Sequence, residues 1–294
     1  MGYLFLAAVL AAGGVKGFCG KKQSMMISGT RPAAIVSLLR FLISAAVGFL
    51  LVLAGGGLSS LMPDARLLGI LILSGAANAV MLLTWLLAVQ RSAYVLLDVF
   101  ATVGVIVPLT VCRILFDERV RPIQWAGFIL LCCAAAVMCS YSMRLKKKRM
   151  SAADLALLCV FGLSNGTGDL TQKLYMHTAE DGSPAVFNFY TFVFAGAALA
   201  LSLFFIPRRE SDVFPIRRVW GYILVMSLTL FAVNYCKTAA AGVLDAMQIY
   251  PILQGGILVI NLLVASFFFG EKLTKQSILG MTMCFGAMLL INVL

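Results

Sequence analysis

Residues 32–54 read PAAIVSLLRFLISAAVGFLLVLA, an apolar run in which Arg40 is the only ionisable side chain. Because an α-helix rises about 1.5 Å per residue, a run of this length crosses a hydrocarbon layer of about 30 Å. Similar runs make up most of the chain, which is 62% hydrophobic and 12% charged and has a mean hydropathy of +1.00. Ordinary soluble domains are about half apolar and about a quarter charged. The sequence therefore predicts an all-α integral membrane protein, since backbone groups in lipid must pair within their own helix.

The apolar runs are separated by short stretches of glycine, proline or charged residues. Examples are the glycines at 55–57, the basic run at 144–149 and the stretch from Pro207 to Pro215. A window of about twenty residues divides the chain into separate spans. We therefore predict ten transmembrane helices, at residues 2–22, 32–54, 66–88, 93–114, 122–142, 152–173, 184–206, 217–238, 243–268 and 275–293.

Two short patterns recur at nearly the same interval along the chain. FDER at 116–119, followed by Gly127, matches FGEK at 269–272, followed by Gly280. The first and sixth predicted helices share a second pattern, a glycine followed five residues later by a lysine: Gly17 with Lys22, and Gly168 with Lys173. Acid–base pairs and glycines could recur at helix ends by chance, but ten helices divide evenly into two halves. An odd number of helices per half predicts two inverted five-helix repeats, at residues 1–143 and 151–294.

Lysine and arginine residues are distributed unequally between the two ends of the predicted helices. Sixteen fall on one side of the membrane and six on the other, with Arg40 inside a helix. Because cytoplasmic loops carry an excess of Lys and Arg, we assign the sixteen to the cytoplasm. This assignment places both termini outside the cytoplasm. We expect a multi-pass protein of the cell membrane, such as a bacterial inner or plasma membrane. The net charge of +11 lies mainly in short loops, so we expect lipid headgroups rather than nucleic acid beside these residues.

The most distinctive stretch is DAMQIYPILQGG at 245–256, followed by FGEKLT at 269–274. With two five-helix halves that each end in a Phe-x-Glu-basic turn and a Gly-bearing helix, the chain resembles the drug/metabolite transporter superfamily. The EamA-type branch is the most similar. The resemblance is stronger in the second half than in the first, where Asp98 stands at the position of Pro251. Members of this family are mostly exporters of amino acids, metabolites and drugs, so the resemblance implies a transporter.

Asp98 is a carboxylate one turn into the fourth predicted helix, with Tyr94 four residues earlier on the same face. A charged side chain in hydrocarbon costs a few kcal/mol, so it requires a role. Asp98 could bind a cationic group or a proton during transport. Equally, it could form a structural ion pair with Arg40 of the second helix. Structural ion pairs and transport carboxylates look alike in sequence, so both interpretations stand.

The sixth predicted helix carries Asn165, Asp169 and Lys173 at intervals of four, which places them on one face. Asp169 and Lys173 could neutralise each other near the helix end. Alternatively, Asn165 and Asp169 face a central cavity, and Asp169 is then a second candidate for proton coupling. We favour the cavity, because three glycines are expected to deform this helix locally: Gly162, Gly166 and Gly168.

The ninth predicted helix carries a polar stripe of Tyr250, Gln254 and Asn261 beside Pro251. Such a stripe is typical of an aqueous path, but it can also reflect hydrogen bonds between helices.

The remaining candidates for substrate binding lie on the third and eighth predicted helices. Asn78 and Trp85 are seven residues apart, and Asn234 and Tyr235 are adjacent. Because adjacent helical residues point about 100° apart, only one of that second pair need face the cavity. Trp85 and Tyr235 are more often packing or interface residues than ligand contacts.

No set of residues typical of a catalytic or metal site can be assembled from the sequence. HExxH and P-loop motifs are absent, and His177 is the single histidine. The eight cysteines lie mostly in apolar segments without CxxC spacing, so we interpret them as small buried side chains. The sequence therefore predicts no enzyme, no cofactor and no metal site.

Together these features predict a secondary carrier, working as an exporter of small metabolites, amino acids or drug-like compounds. It would operate by alternating access around a central cavity between the halves. The alternatives are a lipid-linked-sugar flippase or a metabolite exchanger of the same fold, and a membrane scaffold that does not transport. The expected partners are a small-molecule substrate and the lipid bilayer, and the sequence is compatible with a monomer.

Overall fold

The structure, a computed structural model, describes residues 1–55, 65–90, 94–118, 120–146, 151–179, 182–209, 212–269 and 275–292. Within these ranges the backbone forms eleven α-helices. They are α1 (Gly2–Ser24), α2 (Thr30–Gly55), α3 (Ala65–Gln90), α4 (Tyr94–Gly104), α5 (Ile106–Phe116), α6 (Pro122–Lys146), α7 (Ala152–Thr178), α8 (Pro184–Phe205), α9 (Ile216–Ala241), α10 (Ala246–Phe269) and α11 (Lys275–Asn292). Each predicted segment corresponds to one helix, except the fourth, which consists of α4 and α5. The all-α prediction is confirmed.

In the part of the chain that the structure describes, seven spans are long and apolar enough to cross a membrane: α1, α2, α3, the joined α4–α5 span Leu97–Phe116, α8, α9 and α10. Within the described residues, α6 and α11 carry shorter apolar stretches, Pro122–Val137 and Ile278–Ile291. α7 has 27 residues and is therefore long enough, but it buries Asp169, Gln172 and Lys173. It is the helix that brings most polar groups into the interior of the bundle.

The fourth span is interrupted at Val105, which the sequence did not predict. α4 ends at Gly104 and α5 begins at Ile106. Pro108 has no N–H group, so the carbonyl of Gly104, four residues earlier, lacks its usual helical donor. Pro251 removes a donor in the same way, yet α10 continues through it. A proline in an apolar run therefore does not by itself determine where a transmembrane helix breaks.

α4 and α7 touch through their backbones. A Cβ atom added to Gly166 would lie 2.1 Å from the carbonyl oxygen of Gly104, and one added to Gly162 would lie 2.4 Å from that of Phe100. Small residues allow such close approach between membrane helices. The prediction that Gly162, Gly166 and Gly168 deform this helix is wrong, because α7 is continuous from Ala152 to Thr178. Two of these glycines serve helix packing instead.

The helices of the two halves have corresponding neighbours. α1 packs against α9 and α10, and α7, its counterpart five segments later, packs against α3 and α4. α2 with α8, and α6 with α11, pair helices that occupy the same place in their halves. This correspondence supports a duplication of the chain. The opposite orientation of the halves and the boundaries 1–143 and 151–294 stay predictions, and Glu271, the proposed counterpart of Glu118, lies outside the described residues.

Candidate functional site

A cavity of about 100 Å³ lies in the interior of the bundle. Three helices of the first half (α1, α3 and α4) and three of the second (α7, α9 and α10) form its walls. The cavity therefore lies where the two halves meet. Its polar lining consists of Lys16, Trp85, Asp98, Asn165, Lys237, Gln254 and Asn261.

Asp98 lines this cavity and is held by an amide from the opposite half. Both carboxylate oxygens of Asp98 accept from Nδ2 of Asn261, at 3.2 Å each. The expected ion pair with Arg40 is wrong: the Arg40 guanidinium donates to Oε1 of Gln23 and lies 5.8 Å from the centre of the Trp85 ring. Within the described residues, Asp98 thus has no cationic partner at ion-pair distance.

Lys16 faces the same cavity from α1 and was missed as a site residue, because it was counted among the cytoplasmic loop charges. It makes no hydrogen bond or ion pair with another described side chain, although it is within electrostatic range of Asp98. Lys237 was likewise assigned to a loop and in fact lines the cavity. Without these two residues the charge bias is fifteen against five, so the topology stays a prediction with the same sign. Their place inside apolar segments was the signal that could have revealed them.

Asp169 lies behind the cavity wall instead of in it. Its carboxylate forms an ion pair with Lys237, whose side chain is 13% exposed towards the cavity, against 4% for Asp169. The hydroxyl of Tyr250 donates to the backbone carbonyl of Asp169 at 2.6 Å, so Tyr250 is also behind the wall. The three side chains join α7, α9 and α10 at one point.

The alternative pairing of Asp169 with Lys173 is wrong. Lys173 Nζ lies 3.1 Å from Oε1 of Glu118 and donates to the carbonyl of Leu244 at 2.7 Å. The other carboxylate oxygen of Glu118 accepts from the backbone N–H of Ala246, at 3.0 Å, and so caps the first turn of α10. Glu118 therefore has a structural role in capping and ion pairing.

The remaining predicted residues divide between the cavity and the helix interfaces. Trp85, Asn165 and Gln254 line the cavity together with Asp98. The side chain of Tyr94 lies outside the described residues. The other candidates lie outside the lining. Asn234 accepts from Gln172 of α7 at 3.1 Å, which joins two helices. Asn78 donates to the carbonyl of Ser74 at 2.9 Å, and Tyr235 stacks on Phe231 with ring centres 5.9 Å apart; both contacts lie within one helix.

The seven cysteines whose side chains are described are free thiols. Cys19, Cys112 and Cys284 are buried, as expected, but Cys133 and Cys159 are exposed on the outer surface of the bundle. Where the structure describes the chain, its His, Cys, Asp and Glu side chains form no cluster that could hold a metal ion. The cavity is lined by residues that carry amide, ammonium, carboxylate and indole groups, which are capable of charge interactions and hydrogen bonding.

Comparison with known proteins agrees with this architecture. Residues 153–293 match the EamA-like transporter family. A solved crystal structure that is 13% identical superposes with a TM-score of 0.74, covering 98% of this chain and 97% of that chain. At 13% identity this similarity shows a shared fold alone, which extends over both halves of the chain. No curated protein matches the chain. The resemblance found in the sequence is thus confirmed: residues 153–293 match the EamA-like transporter family of the drug/metabolite transporter superfamily.

Proposed function

We propose that the protein is a secondary carrier that exports small metabolites, amino acids or drug-like compounds by alternating access around the central cavity. The observation that carries this proposal is the cavity itself, which is walled by three helices from each half. Transporters built from repeats bind substrate at the repeat interface, and rocking of one half against the other then exposes the site to each side in turn.

The charges in the cavity favour amino acids among these substrates. Lys16 and Asp98 both face the cavity, and neither forms an ion pair with a described residue. A zwitterion would satisfy both, with its carboxylate on the ammonium of Lys16 and its ammonium on the carboxylate of Asp98. Such a substrate adds no net charge to the interior, which limits the cost of carrying it through the membrane.

Asp98 is also the better candidate for proton coupling. It reaches the cavity and is bonded to a neutral amide, so protonation would not break an ion pair. Asp169, the second candidate, is occupied by Lys237 and lies behind it. We therefore assign the coupling role to Asp98 and a structural role to Asp169.

Efflux from proteoliposomes tests the proposal. Purified protein is reconstituted, the vesicles are loaded with a mixture of radiolabelled amino acids, and efflux is followed with and without a pH gradient. We expect efflux that Lys16→Met and Asp98→Asn each abolish and that Lys275→Met, at an exposed position on α11, leaves intact. Scrambling of a fluorescent lipid without amino-acid flux would favour the flippase instead, and neither activity would favour a scaffold.

A further inference from the structure

Arg40 is a buried cation whose neighbours do not neutralise it. Its side chain is 1% exposed, and among the described residues its one hydrogen-bond acceptor is Oε1 of Gln23, a neutral amide that is itself fully buried. Within the same part of the chain, Nε and Nη1 of Arg40 have no partner, and neither has Nε2 of Gln23. Buried guanidinium groups in membrane proteins are normally paired, so two unused nitrogen donors are unusual.

The other buried cations of the described interior each have a carboxylate nearby. Lys173 pairs with Glu118, and Lys237 pairs with Asp169. Lys16 shares the cavity with Asp98. Among the described residues, Arg40 is left as the cation without an anion. It is also within electrostatic range of Lys16, so the two like charges repel each other.

Trp85 stands between Arg40 and the central cavity. Its indole lines the cavity, and the guanidinium carbon lies 5.8 Å from the ring centre. Gly20 of α1 makes room for the ring, since a Cβ atom there would lie 2.5 Å from Cη2 of Trp85. Movement of this one side chain would connect the donors of Arg40 and Gln23 with the cavity.

We infer that Arg40 and Gln23 form a second binding site, beside the central cavity, for an oxyanion: a carboxylate or phosphate group. The anion supplies the missing counter-charge, and the free N–H groups of the guanidinium and of the Gln23 amide donate to its oxygens. Gln23 lies in the last turn of α1, beside Lys21 and Lys22. Under the predicted topology this is the cytoplasmic end, so the site is placed to hold the anionic group of a solute before or after it occupies the cavity.

Thermal unfolding of the purified full-length protein tests the site independently of transport. The probes are inorganic phosphate and acetate, added to lipid-free detergent at constant ionic strength with chloride as the reference salt. A further arm adds phosphatidylglycerol without free phosphate, to detect a lipid headgroup as the source of the anion. An anion that binds only the native state raises Tm with concentration. We expect such a rise with at least one probe, and its loss in Arg40→Met.

Two variants make the outcome specific. Gln23→Glu places a carboxylate on the guanidinium, so we expect a higher Tm in chloride and no further response to the probes. Lys275→Met, which removes an exposed cation of α11 and leaves Arg40 in place, should keep the response. The inference is overturned if the wild type responds to none of the probes, or if Arg40→Met and Gln23→Glu respond as the wild type does. Because the experiment measures Tm and not flux, a negative result does not contradict the proposed transport function.

Discussion

Asn261 on α10 donates from Nδ2 to both carboxylate oxygens of Asp98 on α4, and so links the two halves of the protein across the central cavity. The proposed repeat gives this contact a particular origin. Asp98 occupies the place that Pro251 holds in the second half, and Asn261 occupies the place of Pro108. Each half therefore carries a proline where the other carries a cavity-facing polar residue. The contact lies where the two halves have diverged.

Asp98→Asn should abolish proton-coupled flux while the fold persists. Asparagine has the same shape and can still bond to Asn261, so we expect the free energy of unfolding to change by less than about 1 kcal/mol. Flux driven by a pH gradient should fall at least about tenfold, equivalent to about 1.4 kcal/mol in the barrier. Both quantities are measured on the same purified sample, by thermal unfolding and by proteoliposome efflux.

The free energy of unfolding distinguishes a transport role for Asp98 from a structural ion pair with Arg40. If Asp98 neutralised Arg40, its replacement would leave that cation unpaired, and Arg40→Gln/Asp98→Asn would recover the lost stability. Since Arg40 bonds to Gln23 instead, we expect no recovery. Wild-type flux with wild-type pH dependence in Asp98→Asn would remove this residue from the mechanism.

Asp169→Asn should destabilise the protein far more than Asp98→Asn. It leaves the ammonium of Lys237 without its carboxylate in a site that is nearly closed to solvent. Breaking a buried ion pair by removing one partner costs about 3–5 kcal/mol. The double variant Lys237→Met/Asp169→Asn removes both charges and should regain most of that loss. Equal Tm values for the two single carboxylate variants would show that the Lys237 pair contributes little.

Glu118 should act as a joint between the turn after α5, the C-terminal part of α7 and the start of α10. Glu118→Gln keeps an acceptor for the N–H of Ala246 but leaves Lys173 without its counter-charge, which we expect to cost about 1–3 kcal/mol. Glu118→Ala also removes the cap, which costs about 1 kcal/mol more. Thermal unfolding should show Glu118→Ala to be less stable than Glu118→Gln. The double variant Lys173→Met/Glu118→Gln should recover the stability lost when Lys173 has no counter-charge.

The backbone contact of α4 with α7 predicts a large effect from one methyl group. Gly166→Ala places Cβ 2.1 Å from the carbonyl oxygen of Gly104, so the helices must separate, at about 1–3 kcal/mol. The matched control is Gly69→Ala on α3, where no atom lies within 4 Å of the new Cβ. There we expect no loss, or a gain of up to about 1 kcal/mol from helix propensity. A neutral Gly166→Ala in thermal unfolding would mean that α4 and α7 are not in backbone contact.

The helices were predictable because lipid leaves the backbone no alternative to internal hydrogen bonds. The predicted and observed bounds therefore agree closely, as for α8, predicted at 184–206 and found at Pro184–Phe205. The α4–α5 break was not predictable in this way, since Pro108 and Pro251 look equivalent in sequence. Both prolines remove the same backbone donor, so the local sequence does not distinguish the interrupted span from the continuous α10.

The partners of the charged residues were the least predictable feature. Periodicity depends on one helix at a time, and it placed Asp98 on a face that meets the cavity. Asp169, expected to face the cavity as well, is buried behind it in an ion pair with Lys237. Which cation meets which anion depends on how helices pack, and charge matching alone suggested Arg40 for Asp98. Lys16 was overlooked for a related reason: near a helix end, a lysine in an apolar run looks like a loop charge that orients the helix.

The topology of the chain sets the direction of any transport and is tested with single cysteines. Ala152→Cys, at the start of α7, is exposed next to the basic run at 144–149, on the side assigned to the cytoplasm. Val243→Cys, 61% exposed between α9 and α10, is its control on the opposite side. In a cysteine-free background, an impermeant maleimide added to intact cells should label position 243 and should label position 152 only after the membrane is opened. Labelling in the reverse order would place both termini in the cytoplasm, and the carrier proposed as an exporter would then present its Arg40 side to the exterior.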